Sequence, residues 1–189
     1  MYRIVLAASA ALAFAHPAAA QEACAVDGDA YDLDDAGVAA LYTCMSERMV
    51  EGYTREGDDR ASAYREWTQA STRMAVAGPH GERFLNTFVN DAASAQYLRF
   101  EEGAFEMPVG SVLAKESVAV RDGTGRVGPL FLMTKVADAP NYGGWFYEGV
   151  QPNGKPMKIS QSFCHDCHSA FDASDSMGYP LEEVRASAE

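Results

Sequence analysis

Between positions 34 and 51 apolar side chains recur every three or four residues, at Val38, Leu41, Tyr42, Met45 and Met49. That spacing predicts an amphipathic helix, opened by Asp34 or Asp35 as its cap and ended by Gly52. A second helix is predicted from Asp58 or Asp59 to about Met74, with Ala61, Tyr64, Trp67, Ala70 and Ser71 on one face. The run Gly78-Pro79-His80-Gly81 then reads as a surface loop by its turn chemistry. Beyond it the pattern shortens to that of strands. Residues 83–90, 109–121, 130–136 and 144–150 are β-prone, and breaks such as Asp122-Gly123-Thr124-Gly125 and Pro140-Asn141-Tyr142-Gly143-Gly144 separate them. A short helix is predicted over 92–100. The pattern carries no internal repeat, and its order describes an α+β fold: helices first, an antiparallel sheet, then helix again.

Composition narrows the class without deciding it. The 189 residues are 48% hydrophobic and 22% charged, as in an ordinary globular chain. The formal net charge of −12 repels phosphate backbones and argues against nucleic-acid binding through a basic patch. Such a surface keeps a secreted protein soluble or attracts a basic partner. Residues 1–20 begin Met-Tyr-Arg, continue as an apolar stretch and end His16-Pro17-Ala18-Ala19-Ala20, the form of a secretory signal peptide. Cleavage is expected between Ala20 and Gln21, leaving residues 21–189 as a single domain. No apolar run has the ~18–20 residues needed to cross a bilayer. The expected destination is an oxidising compartment, the bacterial periplasm.

Export changes how the four cysteines read. Cys24 and Cys44 stand alone near the start of the mature chain, while Cys164 and Cys167 form a tight pair near its end. In an oxidising compartment the first two are expected to form a disulfide. Closing that loop stabilises the fold by roughly 3 kcal/mol on the chain-entropy account.

The other two belong to Cys164-His165-Asp166-Cys167-His168, the C-x-x-C-H sequence to which a c-type haem is attached. Two thiols at this spacing lie on one side of a helical turn and reach the two vinyl groups of one haem. His168 follows at once and offers a ring nitrogen to the iron, while its other nitrogen should donate to a carbonyl or carboxylate. His165 is expected to point elsewhere. A zinc site would need further ligands. A redox dithiol would need a strand–helix context of the thioredoxin kind, which the pattern lacks. The single motif implies one covalent haem, attached near the C-terminus of a domain rich in strands.

Five segments in order resemble the cytochrome P-460 family: Tyr64-Arg65-Glu66-Trp67, then Thr87-Phe88-Val89-Asn90-Asp91-Ala92-Ala93, then Pro108-Val109-Gly110-Ser111-Val112-Leu113-Ala114-Lys115-Glu116, then Gly144-Trp145-Phe146-Tyr147, and finally the haem motif. The resemblance spans roughly residues 64–180. It implies a periplasmic monohaem protein with a curved antiparallel sheet, five-coordinate iron and a mostly dimeric assembly. One branch of that family oxidises hydroxylamine with a haem cross-linked to a lysine; a sister branch, the cytochromes c′-beta, binds nitric oxide at an uncross-linked haem. The lysine carries over to Lys115. The position before Thr87, often Arg in the hydroxylamine-oxidising members, is Asn86 here.

Strand alternation puts Leu113, Lys115 and Ser117 on one face and Ala114, Glu116 and Val118 on the other. With Lys115 toward the haem, Glu116 is expected at the surface or in a dimer contact. A solvated Lys115 on the outer face is the competing reading. For the sixth iron position the strong ligands are Met107, Met133 and His80, and the expected arrangement is instead an open iron under a lid from Phe84, Phe88 or Phe105. The functions that follow are oxidation of a small nitrogen compound such as hydroxylamine with electrons passed to a soluble cytochrome, capture of nitric oxide without turnover, or plain electron transfer.

Overall fold

The computed structural model describes residues 24–187, so the predicted signal peptide lies outside the described residues. The first helix, α1, runs Asp35–Thr54, with the Asp34 side chain accepting from the Gly37 backbone N–H. Of the predicted stripe Val38, Leu41, Met45 and Met49 are buried and Tyr42 is half-buried, and Tyr53, past the predicted end, is buried as well. Gly52 does not end the helix. It is buried within it, where a Cβ would collide with the Pro152 carbonyl oxygen, so its smallness serves close packing rather than a stop.

The second predicted helix is helical only in its first half. Only α2, Asp59–Ala63, is helical, followed by a single 3-10 turn at Tyr64–Glu66; the chain then extends into β1, Thr68–Gln69, and β2, Ala75–Ala77. Both short strands pair with β3, Arg83–Val89, so sheet edge pairing overrides a helical pattern of apolar residues. The short helix α3, Asp91–Tyr97, is capped by Asn90. The remaining strands are β4, Val112–Arg121, β5, Thr124–Val127, β6, Leu130–Lys135, and β7, Trp145–Val150, and α4, Gln161–His168, comes last. Asp122 and Gly123, both at positive φ, form a two-residue hairpin turn, so Thr124 and Gly125 open β5 rather than continue the break.

All pairings are antiparallel, in the order β1-β3-β4-β6-β7, with β2 along β3 and β5 along β4. The fold is α+β with an open seven-stranded sheet. One face packs against α1 and α2 through Phe84, Phe88, Ala114, Val118, Leu130 and Leu132. The other face carries Val89, Leu113, Met133, Trp145 and Tyr147, which pack with Ala93 and Tyr97 of α3 and with Met107 and Met177. Cys24 and Cys44 are joined in a disulfide that ties the start of the described chain to α1.

β4 lies in the middle of the sheet, and nine of its ten residues are buried. Glu116 is therefore not a surface residue: it is 1% exposed and sits under α1 and the Tyr64–Glu66 turn. Its carboxylate accepts from the Tyr64 hydroxyl at 2.6 Å, from Arg65 Nε at 2.6 Å and from the Tyr42 hydroxyl at 3.0 Å. Burial first, then the Glu116 charge, pushes Tyr42 up to about 12, so it remains a donor throughout the physiological range. Replacing Glu116 with alanine leaves Arg65 and two tyrosines without their acceptor. The expected loss is about 3–5 kcal/mol, the cost of breaking a buried ion pair from one side. A lowered urea midpoint at unchanged slope would record it.

Candidate functional site

The last helix is attached by its first residue. The Gln161 side chain accepts from the Tyr147 N–H at 2.8 Å and donates to the Tyr147 carbonyl at 2.6 Å, so it pairs with the β7 backbone as a neighbouring strand would. The Ser160 hydroxyl caps the helix by accepting from the Phe163 N–H. No residue of α4 is fully buried, and Phe163 is 73% exposed. Cys164 and Cys167 are free thiols one helical turn apart, the first half-buried and the second exposed. His165 turns toward two tyrosines, its Nδ1 at 3.3 Å from the Tyr147 hydroxyl and its ring 5.6 Å from that of Tyr142.

His168 ends α4 with its Nδ1 at 2.8 Å from the Ser176 carbonyl oxygen. A carbonyl only accepts, so Nδ1 carries the hydrogen and Nε2 keeps its lone pair for a metal. Burial, with the Lys115 charge second, lowers the His168 pKa to about 4, so the ring is neutral. The carbonyl is presented by a short strap at positions 174–178, in which Asp175 and Ser176 both adopt positive φ. Each such residue costs of order 1–3 kcal/mol unless its surroundings impose it. Here the Asp175 carboxylate takes a buried ion pair from Lys135 at 2.8 Å and the Met107 N–H at 2.7 Å, while its carbonyl accepts from Trp145 Nε1 at 2.7 Å.

The carbonyl two residues further along the strap receives Lys115. Its Nζ donates to the Gly178 oxygen at 2.8 Å, and the residue is only 8% exposed. The solvated reading of Lys115 is thereby replaced by a buried one, because β4 is covered on both faces. Desolvation lowers its pKa to about 8, so the neutral amine is appreciably populated just above neutrality. Directly across from Lys115 are Thr87 on β3 and Phe131 on β6. The His80 ring lies 4.8 Å from that of Phe131 and 6.3 Å from that of His168. Tyr147 and Phe171 complete the aromatic surroundings of His168, at 5.2 and 6.2 Å between ring centres.

Several expected participants lie elsewhere. Met107 and Met133 are buried in the core beneath α3, packed rather than offered as ligands. Phe84 and Phe88 face α1 on the side of the sheet opposite Lys115, so neither forms a lid over His168, and Phe105 packs against the Met107 cluster. Asn86 shares the far face with Glu116. It is 2% exposed, accepts from Gln69 and Ser71 and donates to Tyr42, so position 86 contributes nothing to the groups around His168. The aromatic groups present are instead Phe131, Tyr147 and Phe171. No pattern in the sequence marked Gln161, Asp175, Ser176 or Gly178, three of which act through hydrogen bonds that a backbone carbonyl makes.

Paired thiols, a neutral imidazole with one free nitrogen and an aromatic surround define the class: a cytochrome-type haem protein. The family model for Cytochrome P460 matches residues 61–177, and the chain belongs to the cytochrome P460 family. No curated protein matches the chain. The family implies a haem cofactor, and the residues present fit one. His168 has the tautomer of an axial ligand, and the exposed Phe171 supplies apolar surface beside it.

Proposed function

We propose that this chain is a periplasmic cytochrome with one haem, bonded to Cys164 and Cys167 and ligated at iron by His168, that oxidises a small nitrogen compound such as hydroxylamine. The haem supplies the redox chemistry. Electrons taken from the nitrogen are accepted by a soluble cytochrome, and the protons lost with them pass to solvent. The chain's residues hold the site ready: Ser176 fixes the His168 tautomer and raises its basicity. Gln161 locks α4 to β7, and the Lys135–Asp175 pair holds the strap. The net charge of −12 suits a basic face on the electron acceptor. Residues 1–20 add export by a signal peptide, and the resemblance adds assembly as a homodimer.

The observation that carries the reading is Lys115, buried beside His168 with its amine on the Gly178 carbonyl. In the family resemblance, a lysine at this position marks the hydroxylamine-oxidising branch. Purified holoprotein is expected to reduce an artificial electron acceptor when hydroxylamine is added. Nitric oxide binding with no turnover would place the protein in the gas-binding branch instead. A second reading, electron transfer with no substrate at iron, is favoured by one observation: a second imidazole close to the first.

A further inference from the structure

The strap that presents the Ser176 and Gly178 carbonyls is pinned at its upstream end by Asp175, through Lys135, Trp145 and the Met107 N–H. Its downstream end runs into a group of aromatic rings to which the proposed function gives no role. Tyr179, next after Gly178, packs edge-on against Tyr97 and Phe100, at 5.1 and 5.5 Å between ring centres. Its hydroxyl donates to the Glu101 carbonyl at 2.8 Å. Tyr97 is fully buried and reaches back to the strap, where its hydroxyl donates to the Gly178 carbonyl at 3.3 Å. Phe100, just past α3, holds a φ of 49°, in the left-handed region that a bulky side chain enters only where its surroundings impose it.

One cation sits on these rings. The Arg185 guanidinium lies 5.3 Å from the Phe100 ring centre and 5.6 Å from that of Tyr179, both within the roughly 6 Å at which a ring face attracts a cation. Its Nε donates to the Pro180 carbonyl at 3.1 Å, and no carboxylate pairs with it among the described residues. The backbone on either side of Arg185 is tied to the sheet. The Thr72 N–H donates to the Val184 carbonyl at 2.8 Å, the Ala186 N–H to the Ala70 carbonyl at 3.1 Å, and the Ala70 N–H to the carbonyl of Thr87 on β3 at 2.8 Å. Arg185 therefore joins a segment anchored on the sheet to the residue that follows the strap. We infer that Arg185 is a positioning residue of the haem site: seated on Phe100 and Tyr179, it fixes the downstream end of the strap and with it the aim of the Ser176 carbonyl at His168. The inference rests on the reading of a haem ligated by His168. A short strap held at both ends keeps its carbonyls in place; freed at one end, it keeps only the Asp175 anchor, and the hydrogen bond from His168 Nδ1 slackens. A slack hydrogen bond leaves the ring a weaker donor to the metal.

Resonance Raman spectra and redox titration of the holoprotein test it. In Arg185→Leu the iron–histidine stretching band of the reduced protein should move to lower frequency and the midpoint potential should rise. Partners of a metal ligand are typically worth about 10–100-fold, and Arg185 acts one step further out, so the equilibrium constant for reduction should grow by about threefold or more. The sign is diagnostic, because losing a positive charge by itself makes reduction harder and lowers the potential. Arg185→Lys, which keeps a cation over the rings, should lie closer to the wild type. Phe100→Gly changes no charge, and glycine accepts the positive φ at that position, so the variant should fold and shift both readouts in the same direction. It decides the matter should Arg185→Leu fold poorly. An unchanged stretching band in Arg185→Leu and Phe100→Gly overturns the inference, whatever the potential does. So does an equal shift in Leu41→Ala, a core variant on α1 that loosens the fold from the other face of the sheet. A wild-type chain that acquires no haem in a competent host overturns the underlying haem reading instead, and the inference with it.

Discussion

Replacing Cys164 and Cys167 together with alanine is expected to abolish covalent haem completely. Denaturing mass spectrometry of the wild type, made in a host competent for c-type maturation, should show one haem beyond the polypeptide mass; the double variant should show the polypeptide alone. The effect is expected to be local. Neither thiol makes a hydrogen bond that holds α4 in place; the Gln161 clamp on Tyr147, the Ser160 cap and the His168–Ser176 hydrogen bond do that. The double variant should therefore remain folded with an unchanged far-ultraviolet circular dichroism spectrum. Each single variant should retain one thioether, and His168→Ala should retain both while losing the axial nitrogen. A haem-free wild type would remove the attachment reading outright.

What could be read from the sequence follows the range of the interaction that determines each feature. The stripe Val38, Leu41, Met45 and Met49 depends only on helical period, and the structure buries those side chains. The haem motif occupies five consecutive residues and needs no tertiary information. Residues 67–74 do not follow their helical pattern, because β3 offers this segment backbone pairing that a helix would forgo. Alternation alone puts Glu116 at the surface or in a dimer contact, since it assigns a face but not what covers it; on a central strand both faces are interior. The acceptors for His168 and Lys115 are the carbonyls of Ser176 and Gly178, and a carbonyl has no residue identity to read. What aims them is the positive φ at Asp175 and Ser176, imposed from outside by Lys135 and Trp145, forty and thirty positions earlier. His80 reads as a loop residue and is one. Its place beside His168 comes from a hairpin that only the β2–β3 register defines.

Lys115→Ala is expected to change both spectrum and chemistry, provided the side chain is bonded to the haem as the family resemblance implies for the hydroxylamine-oxidising branch. An ammonium has no lone pair, so the amine must first lose its proton to act as a nucleophile. Burial favours that loss and brings the pKa down to about 8. The sign of the pH dependence follows. Below about 8 the native lysine is charged, and between 8 and the unfolded value of 10.5 the native chain holds fewer protons than the unfolded one, so this residue's contribution to stability rises with pH across that window. Any bond from Nζ should likewise form faster as pH rises toward 8. In the wild type the bond should distort the macrocycle and move the reduced Soret band far to the red. It should also lower the mass of the haem-bearing chain by the hydrogens lost from nitrogen and porphyrin, their electrons passing to an external oxidant. Lys115→Ala should restore an ordinary c-type spectrum and the full haem mass, remove hydroxylamine turnover and leave nitric oxide binding intact. The Gly178 carbonyl loses only one of two donors in that variant, since the Tyr97 hydroxyl still reaches it at 3.3 Å, so the strap and the His168 hydrogen bond should survive. An ordinary Soret band in the wild type, unchanged in Lys115→Ala, would assign Lys115 to packing against the strap and the protein to the nitric-oxide-binding branch.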